Sequence, residues 1–109
     1  MTVKEISVQQ LAALGPSARV IDVREPHEWD AGHIDHAVLV PLATVPERIE
    51  AFGDTTAYVV CRSGARSGRV CEFLMAQGLD VVNVAGGLVA WADAGFDIAT
   101  GTAPGADGG

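Results

Sequence analysis

Several kinds of residue are scarce in this chain of 109 residues, and each scarcity excludes a class of protein. There are two cysteines, Cys61 and Cys71, too few for a fold held together by disulfides. Only seven residues are lysine or arginine, and the net charge of −7 argues against nucleic acid or an anionic membrane as a partner. No apolar run approaches the length of a membrane span, and residues 1–5 begin no signal peptide. We therefore expect a soluble, cytoplasmic protein.

The apolar part of the composition is sufficient for one ordinary core. Hydrophobic residues make up 49% of the chain, and its length suits a single domain that needs neither a metal nor a disulfide. We expect this domain to span residues 1–100. The remaining residues, 101–109, are mostly small, and they predict a flexible, glycine-rich tail with no function of its own.

Short apolar runs alternate with segments of helical pattern along the chain. The runs typical of strands occupy residues 3–6, 19–23, 38–40, 57–60 and 81–84. Helices are predicted after Ser7, from Pro26, from Pro46 to Phe52, over residues 67–77 and after Gly86-Gly87. This alternation predicts an α/β fold with a mostly parallel central sheet of about five strands and helices on both faces.

The most informative segment follows the fourth predicted strand and reads Cys61-Arg62-Ser63-Gly64-Ala65-Arg66. Its backbone N–H groups lead into a helix N-terminus, which favours anions, and two arginines add positive charge. This environment is expected to lower the pKa of the Cys61 thiol and to make it a nucleophile toward an anionic substrate. A buried structural cysteine is the competing interpretation, although such a residue requires neither arginines nor a glycine nearby.

The positive charge of the chain is concentrated beside this cysteine. Three of the seven basic residues, Arg62, Arg66 and Arg69, lie within eight positions. A solvated helix face is an alternative explanation for Arg66 and Arg69, and it is sufficient for Arg69. The positive charge of the arginines in the loop itself again favours an anionic substrate.

Four separated motifs resemble those of the single-domain rhodaneses, a family of sulfurtransferases. Residues 20–25 (Val-Ile-Asp-Val-Arg-Glu) are similar to the first motif of that family, and residues 28–34 (Glu-Trp-Asp-Ala-Gly-His-Ile) to the second. Residues 61–67 resemble its active-site loop, and Gly86-Gly87 with Trp91 its closing motif. The resemblance covers about residues 4–97 and implies a rhodanese-like fold.

The resemblance implies that Cys61 is the catalytic residue of a sulfurtransferase. Its thiolate would take the outer sulfur of a small anionic donor such as thiosulfate and pass it, as a persulfide, to cyanide or a thiol. The surrounding loop would bind the donor through Arg62, Ser63, Gly64, Ala65, Arg66 and Ser67. No metal and no organic cofactor is implied. A protein that donates or accepts sulfur is an alternative partner, in which case the domain is a persulfide carrier.

Three charged residues near the first two motifs are interpreted as supporting the site. Asp22 and Arg24 suit a buried ion pair that fixes the nearby loops better than they suit catalysis. Glu28 is the expected partner of Arg24. A separate general base is not required, because the thiolate is already formed.

Other chemically active residues receive structural interpretations. His27, His33 and His36 are close in sequence, but His33 and His36 follow a glycine and are expected in a loop, and no further histidine completes a metal site. Cys71 lies too far along the predicted helix to form a disulfide with Cys61, and we expect it to pack in the core. Core positions are also predicted for Trp29, Phe73 and Trp91.

Other functions are compatible with parts of this pattern. Cysteine-loop phosphatases place five residues between cysteine and arginine, whereas four separate Cys61 from Arg66, so the loop suits a smaller group than phosphate. An arsenate reductase is a more distant version of the same idea. A non-catalytic binding module is disfavoured, because inactive relatives of the rhodanese type typically lack the cysteine.

Overall fold

The computed structural model describes residues 2–101, along which strands and helices alternate. The strands are β1 (Glu5–Ile6), β2 (Val20–Asp22), β3 (Val38–Leu39), β4 (Ala57–Val60) and β5 (Val81–Val84). The α-helices are α1 (Val8–Leu14), α2 (Pro26–Ala31), α3 (Ala65–Ala76) and α4 (Gly87–Asp93), and 3₁₀ helices cover Leu42–Glu47 and Ile49–Phe52. The predicted tail lies outside the described residues, apart from Gly101.

The five strands form one sheet in the order β1-β5-β4-β2-β3, and every pairing is parallel. Strand β4 is therefore central, with Tyr58 opposite Val20 on one side and opposite Val82 on the other. Parallel strands require crossover connections, which the intervening helices supply. The predicted fold class is thus confirmed.

Alternation along the strands directs side chains to two separate cores. In β4, Val59 belongs to the cluster beneath α3 and the two 3₁₀ helices, whereas Val60 belongs to the cluster beneath α1, α2 and α4. This period of two explains why the sheet is covered on both faces. Trp29 and Trp91 lie in the second cluster, as predicted, at 2% and 6% exposure.

Phe73 does not lie in the core as predicted, because 39% of its surface is exposed. Helix α3 faces the sheet with Val70, Cys71 and Leu74, which share one stripe of the helix. Phe73 lies at the border of this stripe. The apolar pattern thus predicted the helix correctly but assigned Phe73 to the core, where it does not lie.

The boundaries of several elements also depart from the prediction. Ser7 caps α1 in a capping box with Gln10, as its spacing predicts. The prediction of one helix that starts at Pro46 is wrong. A first 3₁₀ helix already begins at Leu42, where the Thr44 hydroxyl donates to the Pro41 carbonyl, and a second covers Ile49–Phe52. Within residues 2–101, no helix has the length and apolar character that a membrane span requires.

Candidate active site

Cys61 directly follows β4, at the carboxyl end of the central strand. Ligands of open parallel sheets bind at this edge, because the loops that leave neighbouring strands meet there. The chain turns at Gly64, whose φ of 105° lies in the left-handed region that glycine adopts readily. Helix α3 then begins at Ala65, two residues before the predicted start at Ser67. The early start brings more helix N–H groups into the loop.

Three groups of the loop surround the sulfur of Cys61. The N–H groups of Gly64 and Ser67 donate to Sγ over 3.1 and 3.3 Å, and the Ser67 hydroxyl lies 3.3 Å from the same atom. Burial, at 1% exposure, raises the pKa of the thiol. The hydrogen bonds from Ser67, Gly64 and Ser63 outweigh burial, so the pKa lies below its ordinary value. The loop therefore favours an anion at Sγ.

The first turn of α4 holds the loop from the other side. Leu88 N–H donates to the Cys61 carbonyl over 2.9 Å, and Val89 N–H donates to the Arg62 carbonyl over 3.0 Å. A Cβ on Gly87 would lie 2.4 Å from the Cys61 carbonyl oxygen, which leaves no room for a side chain. The diglycine motif thus allows α4 to approach the backbone of Cys61.

Arg66 is joined to Glu28 of α2 by two hydrogen bonds. The guanidinium nitrogens lie 2.8 and 2.9 Å from the two carboxylate oxygens. This pairing outweighs partial burial and lowers the pKa of Glu28 to about 2, and it raises the pKa of Arg66. Glu28 was expected to pair with Arg24, and its hydrogen-bonded partner is Arg66 instead. The pair links the loop to α2 and leaves Arg66 with a neutralising carboxylate.

Asp22 and Arg24 form the buried ion pair that their positions suggested. Arg24 Nη2 lies 2.8 Å from Asp22 Oδ2, with side-chain exposures of 7% and 0%. The same guanidinium donates to the Gly32 carbonyl over 2.7 Å, and Arg24 N–H donates to Asp22 Oδ1 over 3.0 Å. These contacts fasten the turn after β2 to the C-terminal end of α2, and the first turn of the same helix carries Glu28, which reaches the loop.

Asn83 of β5 contributes to the site although the sequence analysis did not select it. Its amide oxygen lies 2.6 Å from Ser67 Oγ, and its amide nitrogen donates to the Gly64 carbonyl over 3.2 Å and to Glu5 Oε2 over 2.9 Å. Asn83 is 3% exposed. One feature of the sequence pointed to Asn83, namely that it is the single polar residue of the apolar run Val-Val-Asn-Val. A polar side chain in a buried strand requires hydrogen-bond partners.

The remaining selected residues lie around this centre or away from it. Arg62, Ser63 and Ala65 are exposed at the rim of the loop, and Arg62 makes no side-chain hydrogen bond within residues 2–101. Cys71 packs in the core, where burial is the main cause that raises its pKa to about 12.

The three histidines do not gather into a ligand set. Among the described residues there is no group of His, Cys, Asp or Glu suited to holding a metal ion. His27 is exposed, whereas His33 is fully buried and stacks on Trp29 with ring centroids 3.7 Å apart. His33 Nδ1 also lies 2.7 Å from the Trp29 carbonyl oxygen. His33 thus has a packing role.

Comparison with known proteins agrees with this arrangement. The family model for the rhodanese-like domain matches residues 7–94. YtwF of Bacillus subtilis is 41% identical over 95 residues, covering 84% of this chain and 92% of that protein. A protein of Allochromatium vinosum is 38% identical over 94 residues, covering 84% of this chain and 88% of its own length. The first is named a putative sulfurtransferase and the second a sulfurtransferase.

A solved structure matches over nearly the full chain. The crystal structure of a rhodanese-like domain protein from Staphylococcus aureus superposes with a TM-score of 0.80 at 38% identity. The match covers 90% of this chain and 100% of that one. Sequence and fold therefore lead to the same group of proteins.

Proposed function

The chain belongs to the family of rhodanese-like domains, a sulfurtransferase family, and from this premise we propose that it transfers sulfane sulfur through a persulfide on Cys61. The observation that carries the proposal is the set of hydrogen-bond donors around Sγ. A ring of donors stabilises a thiolate before reaction and an anionic terminal sulfur after it. The proposed sulfur donor is thiosulfate or a related small anion, and the acceptor is cyanide or a thiol.

In the first half-reaction, the Cys61 thiolate attacks the outer sulfur of thiosulfate. A new S–S bond forms at Sγ, the original S–S bond breaks, and its electron pair leaves with sulfite. One thiolate and one dianion become one persulfide anion and one dianion, so charge and electrons balance. The chemistry requires neither a proton transfer nor an external oxidant.

In the second half-reaction, cyanide or a thiolate attacks the outer sulfur of the persulfide. The bond between the two sulfurs breaks, and its electron pair returns to Sγ as the Cys61 thiolate. Thiocyanate or a new persulfide leaves, and the loop is restored. The hydrogen-bond donors that stabilised the first thiolate also stabilise this leaving group.

Arg62 and Arg66 are proposed to attract the donor to different extents. Arg62 is exposed and has no side-chain hydrogen bond within the described part of the chain, so its charge is available to an anion. Arg66 is held by Glu28, and its charge is largely neutralised. Ser63 and Ala65 form the exposed rim between them, and Ser67 closes the loop.

The pairing of Arg66 with Glu28 favours a second candidate, a persulfide carrier in a protein relay. A dianionic donor loses part of its electrostatic attraction when one arginine is already paired. A persulfide delivered by another protein carries less charge and loses less. Both candidates use the same persulfide. Both also require a reduced thiol, for which the cytoplasm is the proposed location.

The direct test is intact mass after incubation with thiosulfate. Wild type is expected to gain one sulfur atom and to lose it again on addition of cyanide, with thiocyanate appearing in solution. Cys61→Ser is expected to gain nothing, whereas Cys71→Ala, as the matched control, should gain and lose sulfur like wild type.

Other outcomes have defined meanings in the same experiment. Sulfur uptake from a protein persulfide but not from thiosulfate would rule out the small anionic donor and support the persulfide carrier in a protein relay. No uptake from either, together with hydrolysis of an aryl phosphate, would overturn sulfur transfer altogether.

A further inference from the structure

The Ser67 hydroxyl has two neighbours and only one proton. Its oxygen lies 3.3 Å from Cys61 Sγ and 2.6 Å from Asn83 Oδ1. A hydroxyl can donate to one acceptor at a time. A thiolate and an amide oxygen are both acceptors, so these two groups compete for the same proton.

The orientation of the Asn83 amide decides which neighbour it presents to Ser67. The other end of the amide faces the Gly64 carbonyl at 3.2 Å and the Glu5 carboxylate at 2.9 Å. Both of those groups only accept hydrogen bonds, so the amide nitrogen must lie there and the oxygen must face Ser67. At 2.6 Å, two oxygens require a proton between them. Ser67 therefore donates to Asn83 in this arrangement.

We propose that Asn83 is a positioning residue that holds the Ser67 proton while Sγ is uncharged and yields it when Sγ becomes a thiolate. The hydroxyl keeps its proton throughout and only rotates, so no bond to hydrogen breaks. In the uncharged state, the Ser67 oxygen presents lone pairs toward Sγ. In the charged state, the same oxygen directs its O–H toward Sγ.

This inference rests on the proposed function for its role in the reaction. When an acceptor removes the outer sulfur, the electron pair of the breaking S–S bond moves to Sγ. The negative charge at Sγ then outcompetes the neutral amide oxygen, and the hydroxyl turns to the leaving thiolate. Ser67 thus stabilises Sγ specifically when charge develops there, and Asn83 keeps the hydroxyl within reach before that moment.

The charged groups on either side of this network are Glu5 and Arg66. Glu5 lies on β1 directly opposite Asn83 in the sheet register and accepts from its amide nitrogen. Its negative charge polarises the amide and makes Oδ1 a stronger acceptor for Ser67. Arg66, in the first turn of α3, interacts electrostatically with Cys61 and favours the thiolate. The two charges therefore bias the hydroxyl in opposite directions.

The experiment measures the pKa of Cys61 from the pH dependence of its alkylation by iodoacetamide, with Cys71→Ala as the background so that one thiol reports. Asn83→Leu removes the competing acceptor, so it is expected to lower the Cys61 pKa by about 0.5 to 1 unit. Ser67→Ala is expected to raise it. Ser67→Ala should raise the Cys61 pKa by more in the Asn83→Leu background than with Asn83 present. In Asn83→Leu the Ser67 hydroxyl donates to the thiolate without competition, so its removal costs more.

A purely structural role for Asn83 gives the opposite sign. If the residue only supported the loop, Asn83→Leu would displace the N–H groups around Sγ and raise the Cys61 pKa. Equal effects of Ser67→Ala in the two backgrounds would also overturn the proposal. Circular dichroism and thermal unfolding of each variant establish that the comparison concerns folded protein.

Glu5→Gln provides a second route that does not disturb the interior. Glu5 is exposed, and glutamine retains an oxygen that accepts from Asn83. The variant is expected to lower the Cys61 pKa by a few tenths of a unit, and to lose most of this effect when Ser67 is alanine. A shift of the same size without the hydroxyl would show a direct field of Glu5 and contradict transmission through Asn83.

These measurements separate the two proposals, because alkylation needs no sulfur donor. The predicted pKa pattern without sulfur uptake from any donor would leave Asn83 as a positioning residue for the thiol and remove the proposed function. Sulfur uptake with the opposite pKa pattern would support sulfur transfer and overturn the positioning role of Asn83.

Discussion

Cys61 and Cys71 lie in the same buried cluster, at 1% and 0% exposure, yet their acidities move in opposite directions. The pKa of Cys61 lies below its ordinary value, because hydrogen bonds overcome the effect of burial. The pKa of Cys71 is raised to about 12, mainly by burial and also by the charges of Glu5 and Cys61. Within the described residues, no hydrogen-bond donor reaches the sulfur of Cys71.

Burial alone therefore does not decide the acidity of a thiol. Desolvation acts against both thiolates, and only Cys61 receives compensating N–H and O–H groups. Those groups are available because Cys61 lies where a strand ends and a helix begins. Cys71 lies within a helix whose N–H groups are already paired. Position relative to the ends of the strands and helices thus separates a thiol of lowered pKa from one of raised pKa.

The largest expected effect is the difference in alkylation between the two thiols. At pH 7, a pKa of about 12 leaves roughly one Cys71 in 10⁵ as thiolate. Native wild type should therefore accept one iodoacetamide, and Cys61→Ser none on the same timescale. Mass spectrometry of native and urea-unfolded protein measures this, since both thiols should react once the chain is unfolded. Equal labelling of the two cysteines in the native state would contradict the opposite pKa shifts of the two thiols.

The next effect concerns the glycines that accompany each cysteine. In Gly87→Ala the Cβ would lie 2.4 Å from the Cys61 carbonyl oxygen, and we expect a loss of about 3 kcal/mol or more in unfolding free energy. Gly78→Ala is the control beyond the helix that holds Cys71. Its φ of 86° is also left-handed but nothing lies within 4 Å, so about 1 kcal/mol is expected. Urea unfolding measures both, and equal losses would refute the close approach of α4.

A smaller effect is expected from the ion pair beside Cys61. The folded pKa of Glu28, about 2, is below its ordinary value of 4.5, so the pair stabilises the fold above pH 4.5 and loses this contribution as the pH falls toward 2. Because the side chains remain partly exposed, Glu28→Gln should cost about 1 to 2 kcal/mol at neutral pH and progressively less in acid.

The matched control for this pair is Glu50→Gln. Glu50 is 74% exposed and lies 3.6 Å from Arg48, so its substitution should change stability by less than about 0.5 kcal/mol. Urea unfolding between pH 3 and 7 measures both variants. A pH-independent cost of Glu28→Gln would contradict the lowered pKa. The Cys61 pKa should also fall in Glu28→Gln, because Arg66 then acts on the thiolate without its carboxylate.

The smallest effect is expected at the rim of the loop. Arg62→Ala should lower kcat/KM for thiosulfate by about 3- to 10-fold, since an exposed charge attracts a dianion through solvent. Use of a neutral persulfide donor should change less. Arg69→Ala, also exposed but farther along α3, is the control. Equal losses for both sulfur donors, or for both arginines, would contradict a specific role of Arg62.

Local patterns were sufficient for most of the fold. Apolar runs marked β2, β4 and β5 to within a residue or two, and alternation of strands with helices implied parallel pairing, because a crossover must lie between parallel strands. The 3₁₀ segments were mistaken for one helix that begins at Pro46. Proline restricts its own φ but does not specify where the turn around it starts.

The partners within the site were less accessible to sequence reasoning. Glu28 and Arg66 are 38 positions apart, and Asn83 and Glu5 are 78 apart, so no local spacing reports these contacts. The Asp22–Arg24 pair was foreseeable because its members are two positions apart on one strand end. Long-range pairing depends on strand order, and several orders are compatible with the same alternation of elements.

The placement of Cys61 directly after a buried strand, with a helix beginning a few residues later, was predictable from the sequence, since it depends on neighbouring residues and backbone preferences. The glycine pair Gly86-Gly87 before the last helix was also recognisable, because the absence of a side chain follows directly from the residue type. The pairing of Glu28 with Arg66 and the sharing of the Ser67 hydroxyl between Asn83 and Cys61 depend instead on how the strands and helices pack. The physical reason is that hydrogen bonds act over about 3 Å, and only the packing of strands and helices brings residues distant in sequence to that separation.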